Sequence, residues 1–366
     1  TETLIDFKTR QTRASDDKKY FMPEDSIAHI DFDELNSKAI SQPLVKHIYT
    51  ADPSAHVFNG KIYIYPSHDV DAGDAFDDLG SHFAMEDYHI LSMDSPTSEA
   101  VDNGLALHVN DVPWAAKQMW APDAAEKDGK YYLFFPAKDH EGIFRIGVAV
   151  SDSPVGPFTP QPEAIKNSFS IDPAVFKDDD GSYYMYFGGI WGGQLQRWRT
   201  GKFNADQPES PVAFLPEANE PALCPKIAKL TDDLLEFAED VKDILITDEN
   251  GQPLLQGDTD RRFFEASWIH KYNGKYYFSY STGDTHYLCY AIGDNPYGPF
   301  KYAGRILEPV VGWTSHHSIC AIENKWYLFY HDSSLSKGVT HLRSVKVTEL
   351  IHDENGFIKT IKPYND

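Results

Sequence analysis

The sequence is poor in cysteine. It contains three in 366 residues, Cys224, Cys289 and Cys320, and no two of them form a Cys-x-x-Cys pair. Such pairs mark zinc ribbons and thioredoxin-like redox sites, and an even set of closely spaced cysteines marks a disulfide framework. We therefore expect none of these three devices to support the fold.

Positive charge is also scarce. Lys and Arg number 33 against 56 Asp and Glu, and the net charge is −23 at pH 7. A surface of this sign repels nucleic-acid phosphates and anionic membranes. We therefore expect neither nucleic acid nor a membrane as a partner, whereas a neutral or cationic ligand is compatible with the charge.

Long hydrophobic runs are absent as well. No stretch reaches the ~18 apolar residues that a transmembrane helix needs. The first residues, TETLIDFKTRQTR, lack the apolar segment of a secretory signal peptide. The compartment stays open between the cytoplasm and a periplasmic or secreted location with the signal removed.

Aromatic residues, by contrast, are abundant. They make up 14% of the chain, and the hydrophobic set makes up 41%, which is enough for a buried core. Sugar-binding clefts use such rings, but β-sheet cores do too. We interpret most of these rings as core.

One short pattern recurs five times. Each copy has an Asn-Gly, Asp-Gly or Glu-Asn turn followed by an aromatic-rich, β-prone run. Asn-Gly and Asp-Gly supply the positive φ that two-residue hairpins require. The copies lie at 58–65, 127–134, 179–186, 272–279 and 322–329.

A further strand is visible in every unit. The runs 146–150 and 288–292 are each followed by a nearly identical Asp-x-Pro-x-Gly-Pro-Phe segment. Repeated hairpins with an added strand are typical of propeller blades, and five copies predict an all-β, five-bladed β-propeller. A β-sandwich or a β-helix with coincidental turns is the alternative. The corresponding runs in the other units are 88–93, 194–198 and 341–345.

The copies are unevenly spaced. Gly181 and Gly274 are 93 residues apart, against 52 for Gly129 and Gly181. The excess falls at about 200–262, where apolar residues between 225 and 241 have helical spacing. We therefore predict a small helical insertion between the third and fourth blades. It lies within a single catalytic propeller domain at 41–366, preceded by an N-terminal extension at 1–40.

An ionisable residue precedes each hairpin turn by six to nine residues. The first strand of each blade lines the axis, so we expect these side chains to converge at one mouth of the central channel. Carboxylates held close together cannot all ionise freely, so one becomes a base and another an acid. There are two alternatives: each Asp-Pro only marks the start of a strand, or the acids together form a calcium site. The five residues are Asp52, Asp123, Asp172, Glu265 and His316.

These motifs resemble those of glycoside hydrolase family 43. The resemblance is carried by Ala51-Asp52-Pro53, Ile171-Asp172-Pro173, Phe264-Glu265-Ala266 and the stretch 315–318, and it covers about 45 to 350. That family is a five-bladed β-propeller of inverting xylosidases, arabinofuranosidases and arabinanases. The resemblance implies Asp52 as general base, Glu265 as general acid, and Asp172 as the residue that orients the acid and adjusts its pKa.

The last motif departs from the family pattern. Ser315 stands where the family has glycine, so the sequence leaves the axial histidine open between His316 and His317, and the register favours His316. The resemblance implies a calcium ion or a water cluster beside that histidine. His316 is therefore the candidate metal ligand, Ca²⁺ is the expected ion, and no organic cofactor is expected.

Five further residues are candidate substrate contacts. Trp120 is expected to stack on a sugar ring or to serve in blade packing, and Phe264 and Trp313 adjoin the proposed acid and histidine. For Arg343 the resemblance suggests a sugar-hydroxyl contact, with a solvent-facing role as the alternative. His286 either faces the pocket or closes a turn.

The sequence predicts an inverting exo-glycosidase that acts on xylo-oligosaccharides or arabinoxylan fragments. We favour a β-xylosidase, with α-L-arabinofuranosidase or arabinanase as alternatives. An inverting mechanism needs room for a water, so the carboxyl groups of Asp52 and Glu265 are expected roughly 6.5–9.5 Å apart. The 200–262 insertion is expected to block one end of the groove, and a homo-oligomer is left open. A non-catalytic carbohydrate- or calcium-binding propeller is the competing class.

Overall fold

The repeated hairpins form the blades of a propeller. In the computed structural model, which describes residues 29–206 and 210–366, five mainly antiparallel sheets surround one axis. The predicted all-β, five-bladed β-propeller is therefore confirmed. Most of the expected N-terminal extension, up to residue 28, lies outside the described residues.

The strands of blade 1 follow the order of the chain from the axis outward. In blade 2, the strands Ala115–Lys117 and Asp123–Lys127 both pair with Lys130–Asp139. Blade 1 consists of β1 (Tyr49–Phe58), β2 (Lys61–Asp69), β3 (Asp87–Met93) and β4 (Val101–His108). Blade 2 consists of β5 (Ala115–Lys117), β6 (Asp123–Lys127), β7 (Lys130–Asp139), β8 (Phe144–Ser151) and β9 (Thr159–Pro160).

The remaining blades differ in their outer strands. In blade 4 the short strand Ile246–Thr247 adds a parallel edge to the strand Phe300–Leu307. Blade 3 consists of β10 (Ala174–Lys177), β11 (Tyr183–Phe187), β12 (Lys226–Lys229) and β13 (Lys242–Asp243). Blade 4 consists of β14 (Ile246–Thr247), β15 (Glu265–Tyr272), β16 (Lys275–Ser281), β17 (Leu288–Gly293) and β18 (Phe300–Leu307). Blade 5 consists of β19 (His317–Ile322), β20 (Lys325–Asp332) and β21 (Ser344–Leu350).

The third strand of blade 3 lies elsewhere than predicted. Gln194 has a left-handed backbone with φ of 69°, and Leu195–Trp198 form a 3₁₀ turn. The third strand is instead β12, which pairs with β11. The predicted strand at 194–198 is therefore wrong, because the chain turns away before the blade is completed.

The insertion at 200–262 contains no α-helix among its described residues. Thr231 and Asp233 form a side-chain-bonded turn, in which Thr231 Oγ1 donates to Asp233 Oδ1 (2.6 Å). Leu234 has a φ of 63°, which a helix does not admit. The apolar residues instead pack irregularly into the core shared by blades 2 and 3: Leu230, Leu234, Leu235, Phe237 and Val241.

The blade strands are apolar on both faces because each blade packs between two neighbours. On β7, Tyr131, Leu133 and Phe135 are buried against blade 1, whereas Tyr132 and Phe134 are buried against blade 3. The largest fully buried side chains are all Tyr or Phe. The aromatic content is therefore chiefly core, as the sequence indicated.

The ring closes between the first and fifth blades without a shared strand. The Leu44 N–H donates to the Val345 carbonyl and the Thr50 N–H donates to the Arg343 carbonyl, each at 2.9 Å. One buried apolar cluster spans the junction. It includes Ile62, Ile64, Leu91, Phe329 and Val345.

Within residues 29–48, one short α-helix precedes the first blade. Helix α1 (Phe32–Lys38) begins after Asp31, whose side chain accepts the N–H groups of Asp33 and Glu34. In the described part of the chain, no helix is long and apolar enough to cross a membrane.

A buried ion pair in blade 5 generates a stability prediction. Lys346 Nζ lies 2.7 Å from Asp332 Oδ2, and each side chain is 1% exposed. Asp332→Asn would leave the ammonium buried without a countercharge, which costs about 3–5 kcal/mol. We expect the free energy of unfolding to fall by that amount in urea denaturation.

The matched control for this prediction is an exposed pair in the same sheet. Lys325 and Glu349 lie 3.9 Å apart with both side chains exposed. Glu349→Gln is expected to change the free energy of unfolding by less than about 1 kcal/mol. Equal losses in the two variants would contradict the assignment.

Candidate active site

Four of the five ionisable residues predicted to converge meet in one cavity at the propeller axis. Asp52, Asp172, Glu265 and His316 line it together with Arg343. They lie near the starts of the innermost strands of blades 1, 3, 4 and 5. The cavity thus collects charged groups from four blades.

Backbone irregularities turn the acids toward this cavity. Asp52 and Asp172 have left-handed backbones, with φ of 52° and 59°. The register of β1 shifts beside Asp52, and that of β15 shifts directly after Glu265. Bulges and positive φ at residues other than glycine re-aim side chains and carry strain, which is typical of functional sites.

Asp52 is held ionised. Ser67 Oγ donates to its Oδ2 (2.7 Å), and Arg343 Nη1 donates to its Oδ1 (3.1 Å). Burial opposes the charge, but Arg343, His316, His331 and the Ser67 hydrogen bond outweigh burial and lower the pKa of Asp52 to about 2. A buried carboxylate is thus available as a base.

Arg343 is held in turn by a second acid. Its Nε and Nη2 each donate to the Asp69 carboxylate at 2.8 Å. Burial disfavours the guanidinium charge, but Asp52 and Asp69 outweigh burial and raise the pKa of Arg343. A bidentate pair fixes the plane of the guanidinium, so the third nitrogen is aimed at Asp52.

Glu265 has the opposite electrostatics. Burial raises the pKa of Glu265 well above its usual value, and the charges of Asp172 and Asp52 raise it further. Glu265 lines the cavity and keeps part of its surface open. The site therefore holds a protonated carboxyl group near an ionised one.

Asp172 lies between this acid and the histidine. Its Oδ2 accepts the Ala266 N–H at 2.9 Å, which fixes the backbone next to Glu265. Its Oδ1 lies 3.7 Å from His316 Nε2. Asp172 therefore both positions Glu265 and supplies a charge that favours its protonated form.

His316 carries a proton on the nitrogen that faces the acids. The His317 N–H donates to His316 Nδ1 at 2.8 Å, so the proton of the neutral ring lies on Nε2. Burial opposes a second proton, but Asp172 and Asp52 outweigh burial and raise the pKa of His316. In either form Nε2 is a donor.

The two histidines by themselves do not complete a calcium site. His316 Nε2 has no lone pair for a cation, and His317 Nε2 is taken by Ser279 Oγ at 2.6 Å. His316 Nε2 and His317 Nδ1 both lack a hydrogen-bond partner among the described residues. Calcium prefers six to eight oxygen ligands, and one imidazole nitrogen does not supply them.

Aromatic rings form the walls of the cavity. Trp120, Phe264 and Trp313, three of the predicted substrate contacts, line it, and so does Trp191. Trp120 is fixed by its Nε1, which donates to the Phe83 carbonyl at 2.8 Å. Rings held this way offer rigid apolar faces to a sugar.

His286 lies behind this wall. It does not line the cavity, and its ring meets Trp313 edge-on at 5.6 Å between centroids. Its Nδ1 lies 2.8 Å from the Trp313 carbonyl. The predicted contact between His286 and a substrate is therefore replaced by support of Trp313.

Asp123 does not join the other acids. Its Oδ1 lies 2.6 Å from His56 Nε2, and its Oδ2 accepts the Val175 N–H at 2.6 Å. Ala121 occupies the cavity position of blade 2 instead. The expected convergence is therefore wrong for Asp123, which precedes its turn by six residues rather than eight or nine.

Loops, rather than the insertion, close the cavity. Besides the acids and the residues next to them, and besides Trp120, Ala121 and Arg343, the lining residues come from the loops at 77–85, 190–193 and 313–316, and none comes from the described part of the 200–262 segment. The expected blocking role of the insertion is therefore wrong, because its described residues extend blades 3 and 4.

Two residues beneath Asp52 were missed at the sequence level. Asp69 orients Arg343, and His331 Nδ1 accepts the Asp52 N–H at 3.0 Å. A signal for both was present, because β2 and β20 each end in a His-Asp dipeptide. Repeated polar pairs at corresponding strand ends indicate a shared environment.

The family model for glycosyl hydrolases family 43 matches residues 45–210. The chain is 64% identical over 328 residues to a xylosidase/arabinosidase of Humicola insolens, which spans 88% of this chain and 99% of that protein. It is 57% identical over 316 residues to a beta-xylosidase of Xylanibacter ruminicola, covering 86% of this chain and 97% of that protein.

Solved structures agree with these relatives. A family 43 beta-xylosidase/alpha-arabinofuranosidase from a compost metagenome, solved with xylotriose in a calcium-free form, superposes with a TM-score of 0.87 at 66% identity. That match covers 89% of this chain and 98% of the other. A family 43 enzyme of Xanthomonas citri with xylotriose gives a TM-score of 0.86 at 55% identity, covering 92% and 97% of the two chains.

The opposite pKa shifts of Asp52 and Glu265 predict opposite effects of pH on the free energy of unfolding. The pKa of Asp52 is lowered, so its ionised form stabilises the fold above pH 3.8 and that stabilisation is lost as pH falls through about 2. The pKa of Glu265 is raised, so its contribution is full below pH 4.5 and is lost as pH rises through the folded pKa.

Calorimetry of two variants tests this contrast. Glu265→Gln is expected to match the wild type near pH 4 and to become more stable than the wild type as pH rises, by about 1.4 kcal/mol per unit of pKa shift. Asp52→Asn is expected to be destabilised at neutral pH by about 2 kcal/mol or more. A Glu265→Gln protein that is less stable than the wild type at pH 8 would contradict the pKa assignment.

Proposed function

Because the chain belongs to glycoside hydrolase family 43, we propose that it releases terminal xylose from xylo-oligosaccharides and arabinoxylan fragments, with α-L-arabinofuranosidase as a second activity. The observation that carries this proposal is one cavity in which Asp52 is kept ionised and Glu265 is kept protonated. Glycoside hydrolysis requires such a pair. The relatives named for both sugars, and those solved with xylotriose, support the choice of substrate.

Asp52 acts as the general base. Its low pKa keeps it unprotonated, so it accepts a proton from a water as that water attacks the anomeric carbon. Ser67 and Arg343 occupy one position on each of its oxygens, which leaves further lone pairs for the water. Those two hydrogen bonds also fix the direction of the carboxylate.

Glu265 acts as the general acid. Its raised pKa keeps the proton in place until the glycosidic oxygen departs, and the oxygen then takes that proton. Asp172 holds the backbone beside Glu265 and is the positioning residue of this step. Since Asp52 activates a water rather than attacking the sugar itself, the proposed outcome is inversion at the anomeric carbon.

The closed cavity favours an exo mode of attack. Phe264 lies over Gly283, where an added Cβ would be 2.1 Å from the ring, so the wall is tightly packed. Trp120, Trp191 and Trp313 continue the wall around the acids. A cavity enclosed by rings suits the terminal sugar of a chain better than an internal one.

The competing class is a propeller that binds carbohydrate without cleaving it. Such a protein would use the aromatic wall but would not need a raised pKa at Glu265 or a lowered pKa at Asp52. The opposite shifts of two acids in one cavity therefore favour the enzyme.

A substrate panel tests the proposed activity. We expect turnover of p-nitrophenyl β-D-xyloside and xylobiose, weaker turnover of p-nitrophenyl α-L-arabinofuranoside, and release of single sugars from longer chains. Proton NMR of the first minutes of xylobiose cleavage should show α-xylose before mutarotation. The absence of turnover of both glycosides would contradict the proposed activity. Release of β-xylose as the first product would contradict the inverting mechanism.

Leaving-group dependence separates the roles of the two acids. p-Nitrophenolate is a weak base that departs with little protonation, so Glu265→Gln should retain far more kcat on the aryl xyloside than on xylobiose. Asp52→Asn should lose kcat on both, by about 10²–10⁴-fold, since the water still needs a base.

Glu349→Gln, an exposed acid on blade 5, provides the matched control and should keep the kcat of the wild type. Equal losses for Glu265→Gln on the two substrates would contradict its role as the acid. Near-normal kcat in Asp52→Asn would contradict its role as the base.

A further inference from the structure

We propose that His68, Asp87 and His89 form a binding site for a divalent transition metal of the zinc class. His68 lies near the end of β2, and Asp87 and His89 lie at the start of β3. None of the three lines the cavity of the proposed active site. The inference does not depend on the proposed function.

The ligand atoms of these residues converge. His68 Nδ1 lies 2.5 Å from Asp87 Oδ1, His89 Nε2 lies 3.7 Å from Asp87 Oδ2, and the two rings are 4.6 Å apart. The three ligand atoms lie within 4.8 Å of one another, and within 29–206 and 210–366 no other His, Cys, Asp or Glu group meets that limit. Tetrahedral zinc with bonds of about 2.0–2.2 Å places its ligands roughly 3.3 Å apart, so small side-chain rotations suffice.

The burial of the cluster suits a bound ion. The side chains of His68, Asp87 and His89 are 16%, 19% and 19% exposed. Most bulk water is therefore kept away, while an entry path and an open fourth position for a water remain.

A second carboxylate orients one of the ligands. Asp102 Oδ1 lies 3.0 Å from His89 Nδ1, so in the neutral ring that nitrogen carries the proton and Nε2, on the side of Asp87, is the ligand nitrogen. Asp102 is itself fixed by the Gly104 N–H (2.8 Å) and by His47 Nε2 (2.8 Å). A carboxylate on the remote nitrogen of a histidine is the recurring outer arrangement of zinc sites.

The donor set selects the class of metal. Two imidazoles and one carboxylate suit zinc and cobalt, whereas calcium and magnesium prefer all-oxygen sites. The ion would tie β2 to β3 one residue away from Asp69, which holds Arg343. We therefore expect the metal to raise the thermal stability of blade 1 and to take no part in the chemistry at Asp52.

Titration of the whole chain tests the site. After EDTA treatment and buffer exchange, ZnCl₂ is titrated by calorimetry, and CoCl₂ is followed by visible absorption. We expect one equivalent of each metal to bind, a visible d–d band with Co²⁺, and a rise in Tm with Zn²⁺. CaCl₂ should not displace Co²⁺ from the site.

Three variants and one control locate the metal. Asp87→Asn and His89→Gln should abolish the Co²⁺ band, and Asp102→Asn should weaken binding about 10–100-fold. His140→Gln, an exposed histidine on blade 2, should bind like the wild type. Near-wild-type Tm values of the metal-free variants would show that they fold.

Three results would overturn the proposal. They are the absence of Zn²⁺ or Co²⁺ binding to the wild type, an unchanged Co²⁺ band in Asp87→Asn, and loss of the band in His140→Gln. If Asp87→Asn does not fold, Asp102→Asn provides the test. An unchanged affinity of Asp102→Asn for Co²⁺ would contradict the role of Asp102 in orienting His89 as a ligand.

Discussion

The contact on which the structure depends is the one that Arg343 makes between the last and the first blade. Its backbone carbonyl accepts the Thr50 N–H, and its guanidinium binds Asp69 and Asp52. Ring closure and the ionised state of Asp52 therefore depend on one residue. A change that loosened the ring at this junction would also remove the charge that keeps the pKa of Asp52 low.

The site separates two carboxyl groups by their surroundings rather than by their chemistry. Burial acts on both, but Asp52 has a cation and a hydroxyl donor close by, whereas Glu265 faces two other acids. Because each lies on a different blade, each has its own set of neighbours, while the charge of Asp52 also raises the pKa of Glu265 across the cavity. Asp52 and Ala266, the residue after Glu265, have positive φ values, and this placement of the acids therefore carries backbone strain.

The blades and the acids could be predicted because both are encoded locally. A turn dipeptide marks each hairpin, and the distance back to Asp52, Asp172 and Glu265 follows from the length of one strand. The environment of Asp52 could not be predicted in this way, since Asp69 and Arg343 are 274 residues apart in the chain. Only closure of the ring brings them together.

The insertion shows why apolar spacing alone misleads in this fold. A helix needs one apolar stripe, but a segment that fills the outer gap between two blades also needs apolar residues every three or four positions. Between 230 and 241 the turn at Thr231 and the left-handed Leu234 decide against the helix, while the same apolar residues still reach the core. The hydrophobic pattern reports burial, and the turn chemistry decides which backbone achieves it.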